Sequence, residues 1–127
     1  MDSRSGYSND ADPWEHIRWR GAVASALRGE RGQALLREML AAMLALPERK
    51  LIANDMERGG QVCSLGAVMR ARGLDTNIKD CAIIAARLGI AEAMTREVMA
   101  VNDYKDGEAP EMRFERMLKW IEGKIRG

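Results

Sequence analysis

Four arginines, Arg18, Arg20, Arg28 and Arg31, fall close together, interleaved with Trp14 and Trp19 and followed by Gln33. A guanidinium grips a phosphate or carboxylate through two parallel hydrogen bonds, and Gly29 and Gly32 would let backbone amides approach such an anion where the next helix begins. Arginine and tryptophan are also over-represented at the energetic centre of protein interfaces. The plainer reading makes the arginines a solvated helix face and the glycines a chain corner. The stretch lacks the Lys-Ser/Thr ending of a phosphate-binding P-loop.

Cys63 is the second residue with chemical capacity. It stands near the start of a short apolar helical run, where the helix dipole favours a thiolate. A nucleophile also needs a base, and the single histidine, His16, lies in a different segment that nothing in the sequence brings near. Cys63 and Cys81 show neither CxxC nor Cys/His spacing and follow no signal peptide, so both read as buried, reduced thiols of a cytoplasmic protein. One histidine and two distant cysteines cannot fill a four-coordinate metal site, and no carboxylate pair stands isolated in apolar surroundings. The expectation is a protein that is not an enzyme and uses no cofactor or metal.

A third candidate spans residues 84–98, where Ala85, Leu88, Gly89, Ile90 and Val98 fall as in the second and third helices of a helix-turn-helix unit. Thr95 stands where an apolar residue is expected, and Glu92 and Glu97 would face phosphates beside Arg96. Nucleic-acid binding through Arg87 and Arg96 is therefore the alternative rather than the leading reading.

These residues must be positioned by elements legible in the apolar spacing. Residues 1–11 are mostly Ser, Asn, Asp and Gly and read as a flexible arm. Asp12 and Pro13 suit the cap and first position of a helix carrying Trp14, Ile17, Ala22 and Leu27 and ending near Arg28. A second helix begins at Gln33, with Leu36, Met39, Leu40, Met43 and Leu44 on one face, and stops before Pro47. Gly59-Gly60 between short apolar runs predicts a hairpin within 50–63, a helix through Asp55 being the rival. A short helix with Leu65, Val68 and Met69 closes at Gly73. Asp75 or Thr76 would cap the next, carrying Ile78, Ala82, Ala85 and Leu88 up to Gly89. Ile90, Met94, Val98 and Val101 mark another, residues 102–109 a polar linker, and Met112, Phe114, Met117, Leu118, Ile121 and Ile125 a last helix after Pro110.

The sum is a mainly α protein, a compact bundle of five to six short helices with a small β-hairpin, forming one domain over residues 12–127. At 127 residues with 46% hydrophobic content, the chain can bury a core. The 20 basic and 19 acidic residues nearly cancel, so no global field draws the chain to nucleic acid or membrane. The longest apolar stretch, residues 34–46, is too short to span a bilayer.

Several separated blocks share one order with a known family. They are Arg28-Gly29-Glu30-Arg31-Gly32-Gln33 with Leu36-Arg37-Glu38, Leu46-Pro47 with Leu51-Ile52, and Val62-Cys63-Ser64-Leu65-Gly66-Ala67 with Arg72-Gly73. Gly89-Ile90-Ala91-Glu92-Ala93, Asn102-Asp103 and Pro110-Glu111-Met112-Arg113-Phe114 complete the set. On these the chain resembles a family of small proteins carried by tailed bacteriophages and prophages. The resemblance implies a phage setting and brings no catalytic or binding residue with it. Phage accessory proteins of this size often act by stoichiometric binding to host machinery, including defence systems such as CRISPR effectors. The expected function is thus non-enzymatic binding of a host protein through Trp14, Arg18, Trp19, Arg20, Arg28, Arg31 and Gln33. A nucleic-acid regulator is the alternative, and a small-molecule or nucleotide sponge at the glycine-flanked arginines the second.

Overall fold

A computed structural model describes residues 4–6 and 13–126. Its elements run α1 (Pro13–Arg28), α2 (Glu30–Leu44), β1 (Glu57–Arg58), β2 (Gln61–Val62), α3 (Ser64–Ala71), α4 (Cys81–Leu88), α5 (Glu92–Asp103) and α6 (Pro110–Lys124). The expected helical bundle with a small hairpin is what forms. The capping position expected at Asp12 lies outside the described residues.

Helix α2 packs against α1, α3 and α6, and α5 against α1, α3, α4 and α6, so these two helices organise one core. That core is aliphatic and sulfur-rich: Leu35, Leu36, Met39, Met43, Leu65, Met69, Ile84, Met94, Met99 and Met117 are buried around Phe114. Unbranched methionine fills irregular gaps between short helices better than β-branched or ring side chains do.

Helix α2 begins at Glu30, a turn's worth of residues before the expected Gln33. Gly32 is therefore no corner glycine. It lies inside the helix against α1, where an added Cβ would stand 1.9 Å from the carbonyl oxygen of Ala26. The earlier start also brings Leu35 into the core and leaves Leu44 exposed and Leu40 half-buried. In α1 the expected inward stripe fails in its first half: Trp14, Ile17 and Ala22 are exposed, and only from Val23 does the helix bury side chains fully.

The hairpin forms as expected, pairing Glu57 with Val62 and Arg58 with Gln61. Both turn residues take positive φ, 60° at Gly59 and 82° at Gly60, the backbone that matches a two-residue turn to strand twist. Helix α3 then starts at once, with the Cys63 sulfur accepting from the Gly66 N–H at 3.3 Å. It closes at Gly73, φ 73°, with the Leu74 N–H on the Met69 carbonyl at 2.8 Å.

Neither Asp75 nor Thr76 caps α4. Asp80 does, accepting from the N–H groups of Ala82 and Ile83 at 2.8 and 3.1 Å. Asp75 instead turns the chain back onto the Asn77 N–H, and the Thr76 hydroxyl donates to Glu57, which leaves Ile78 in a loop. The polar run expected as a linker from Asn102 also begins later, because Asn102 and Asp103 form the last residues of α5. No helix among the described residues is long and apolar enough to cross a membrane.

Candidate protein-binding face

Helix α1 presents Trp14, Ile17, Arg18, Gly21, Ser25 and Arg28 at spacings of three, four and seven, which puts them on one side of the helix. All six are exposed. Trp14 is 72% and Ile17 61% exposed, and Trp14 is the most exposed large apolar side chain among the described residues. Arg20 and Arg31 are exposed beside this stripe, while Trp19 lies half-buried on the opposite side, packed on the core. The structure thus brings together on the surface five of the seven expected binding residues, Trp14, Arg18, Arg20, Arg28 and Arg31.

Gln33 is not among them. It is 9% exposed, and its carboxamide nitrogen donates to the carbonyls of Leu27 at 2.7 Å and Lys124 at 3.0 Å. Its oxygen accepts from the Arg126 N–H at 2.8 Å. Each bond ties α2 to the end of another helix, so the residue is a clamp. The expected anion cradle is changed as well. Gly29 is extended, φ −68°, its N–H is taken by the Ser25 carbonyl at 3.0 Å, and Glu30 sets a carboxylate in the first turn of α2 where an anion would be attracted.

The helix-turn-helix positions fare differently. Thr95 is fully buried in the place of the expected apolar residue, its hydroxyl turned back to the Ala91 carbonyl at 3.3 Å. Arg96 is committed to Glu92, at 3.2 and 2.7 Å, and to the Ser5 carbonyl at 2.7 Å, while Arg87 is exposed. His16 is exposed on α1 and Cys63 fully buried, so the couple needed for thiol catalysis does not assemble. Cys81 is also buried, which pushes its thiol above the ordinary value, only partly opposed by the Arg96 and Arg4 charges.

Sequence reasoning missed a polar seam between α5, α6 and the first residues of the chain. Asn102 is fully buried, accepting from the Ser64 N–H at 3.2 Å and donating to the Ile52 carbonyl at 2.9 Å. Beside it, Asp103 receives the Arg4 guanidinium, the Asn54 N–H at 3.1 Å and the Asn102 amide at 2.8 Å. Arg116 donates to the Val101 carbonyl at 2.6 Å and the Asn102 carbonyl at 3.0 Å, and Arg113 to Asn102 at 3.1 Å, so two side chains of α6 cap the end of α5. Glu108 neutralises both, at 2.9 and 3.4 Å. Hydrogen bonds from Arg116 hold its carboxyl below the usual range against the opposing effect of burial, with the Arg116, Arg113 and Lys105 charges adding. Nothing in the spacing of Asn102, Asp103 and Arg113 marks them along the chain, because their partners lie on other elements.

A cleft of about 130 Å³ lies next to this seam, with Met56, Ile84 and Met99 in its wall and Arg4, Glu57 and Lys79 among its polar lining. No protein-family model, curated protein or solved structure matches the chain.

Proposed function

We propose that the protein is a non-enzymatic, phage-type accessory protein that binds a host protein through the outward side of α1 and the adjoining start of α2. It acts in the cytoplasm of an infected or lysogenic bacterium, as an inhibitor of a defence system. The observation that carries the reading is the exposure of Trp14 and Ile17 on the same side as Arg18 and Arg28. Water-exposed tryptophan is costly, and burying it with a neighbouring isoleucine supplies several kcal/mol, about 1.5–3 per side chain, to an interface. The flanking guanidiniums select a partner whose apolar socket is bordered by carboxylates. Gly21, whose added Cβ would meet nothing within 4 Å, leaves the helix backbone open to close approach.

The test is capture from host lysate by the intact chain, by Trp14→Ala/Ile17→Ala and by Arg28→Glu/Arg31→Glu. Loss of one specific partner in both variants, with circular dichroism and melting unchanged, supports the reading. Equal capture by all three chains overturns it.

A further inference from the structure

Arg4, Ser5 and Gly6 are held against the body as a bound peptide would be. The Arg4 guanidinium forks onto both carboxylate oxygens of Asp103, Nε on Oδ2 and Nη2 on Oδ1 at 2.9 Å, and Nη1 reaches the Cys63 sulfur at 3.6 Å. The two charged side chains are only 14% and 9% exposed. The main chain is read too: the Cys81 thiol donates to the Arg4 carbonyl at 3.3 Å and Arg96 to the Ser5 carbonyl at 2.7 Å. Ser5 is buried, so its position takes a small residue. Gly6 adopts φ +76°, and an added Cβ there would lie 2.3 Å from Arg96 Nη1. The expectation of a flexible arm over residues 1–11 is corrected at these three positions.

The receiving side belongs entirely to the body: Asp103 and Arg96 on α5, Cys63 capping α3 and Cys81 opening α4. Asp103 is held in place by the Asn54 N–H and the Asn102 amide independently of Arg4. A carboxylate fixed in this way and nearly enclosed requires a cation, and the flat two-oxygen presentation selects guanidinium over ammonium.

We propose that this seam is a binding site for an arginine–small residue–glycine segment of a partner protein, and that residues 4–6 are its resident competitor. An incoming segment must displace Arg4, so the protein's own chain sets the threshold for binding. A tethered competitor acts at millimolar effective concentration, which lowers the apparent affinity for an outside peptide about tenfold or more.

The experiment uses the full chain carrying Arg4→Ala and a fluorescent peptide with the sequence of residues 1–8, read by anisotropy and by melting temperature. The proposal expects saturable binding to the Arg4→Ala chain, a melting temperature raised by the peptide, and binding to the unaltered chain at least about tenfold weaker. A peptide with Lys in place of Arg should bind at least about tenfold more weakly than the Arg peptide. Gly6→Val, which is strained at φ +76° and should loosen the segment without altering the receiving residues, repeats the measurement should Arg4→Ala fold poorly. No saturable binding to either variant, equal binding by the Lys peptide, or equal binding to altered and unaltered chains overturns the proposal. So does an unaltered chain that is dimeric and becomes monomeric with Arg4→Ala, since the occupant would then be a second copy of this chain.

Discussion

The Gln33 carboxamide nitrogen sits 2.7 Å from the Leu27 carbonyl oxygen, closing the corner between α1 and α2 from the inside. The same nitrogen reaches Lys124, and its oxygen takes the Arg126 N–H, so one side chain satisfies backbone groups at the ends of two other helices. Gln33→Leu leaves those groups without their partner in a nearly closed site and should cost about 1–3 kcal/mol. Urea denaturation followed by circular dichroism measures it; a change below about 0.5 kcal/mol would remove the clamp role.

Two glycines within helices should respond oppositely to alanine. Replacing glycine in a helix gains roughly 0.5–1 kcal/mol of backbone entropy. At Gly21 nothing opposes that gain, whereas at Gly32 the new methyl would stand 1.9 Å from Ala26 O and force α1 away from α2. Overpacking of this kind costs about 1–3 kcal/mol, so Gly21→Ala should raise and Gly32→Ala lower the melting temperature. Gly32→Ala should also weaken partner capture, because it moves the helix that carries Trp14.

Trp14→Ala and Ile17→Ala should leave stability within about 0.5 kcal/mol of the unaltered chain, since both side chains are mostly in water in the isolated protein. Val23→Ala, later in the same helix but in the core, should cost about 1–2.5 kcal/mol by the same assay. A large loss from Trp14→Ala would mean that the tryptophan serves the fold rather than a partner.

Acid should loosen the α5–α6 seam through Glu108. Hydrogen bonds from Arg116 depress its carboxyl, so in the folded chain it holds a lower value than when unfolded. A depressed carboxyl contributes fully above the unfolded value, and the contribution falls away as pH drops through the folded one. Stability should therefore decline below about pH 5, and Glu108→Gln should flatten that decline while costing about 1.5–3 kcal/mol at neutral pH. Unfolding midpoints measured from pH 7 to pH 3 decide it; parallel curves for the two chains would assign the acid sensitivity elsewhere.

Much of the architecture was legible because its signals are local. Pro47 and Pro110, the Gly59-Gly60 pair, Gly73 and Gly89 punctuate the chain by their own backbone preferences, and each does so in the fold. Helix starts were harder to read: α2 opens at Glu30 and carries Gly32 pressed on α1, a contact between segments. Asp75, Thr76 and Asp80 all carry capping oxygens; Asp75 and Thr76 are taken by other partners, one local and one on the hairpin strand. The arginines split in the same way. Arg28 and Arg31 stay on the surface as expected, whereas Arg96, Arg113 and Arg116 are drawn inward by carbonyls and carboxylates from other elements. Spacing along one segment carries no trace of such pairings.

The α6 arginines also bear on the order in which the chain can complete itself. The carbonyls of Val101 and Asn102 wait for side chains that follow them by more than ten positions, at Arg113 and Arg116. Until Arg113 and Arg116 dock, α5 has a frayed end and Asn102 is poorly placed to fasten Ser64 and Ile52. Docking of α6 and closure of the end of α5 are therefore a single event, so the two helices gain their order together.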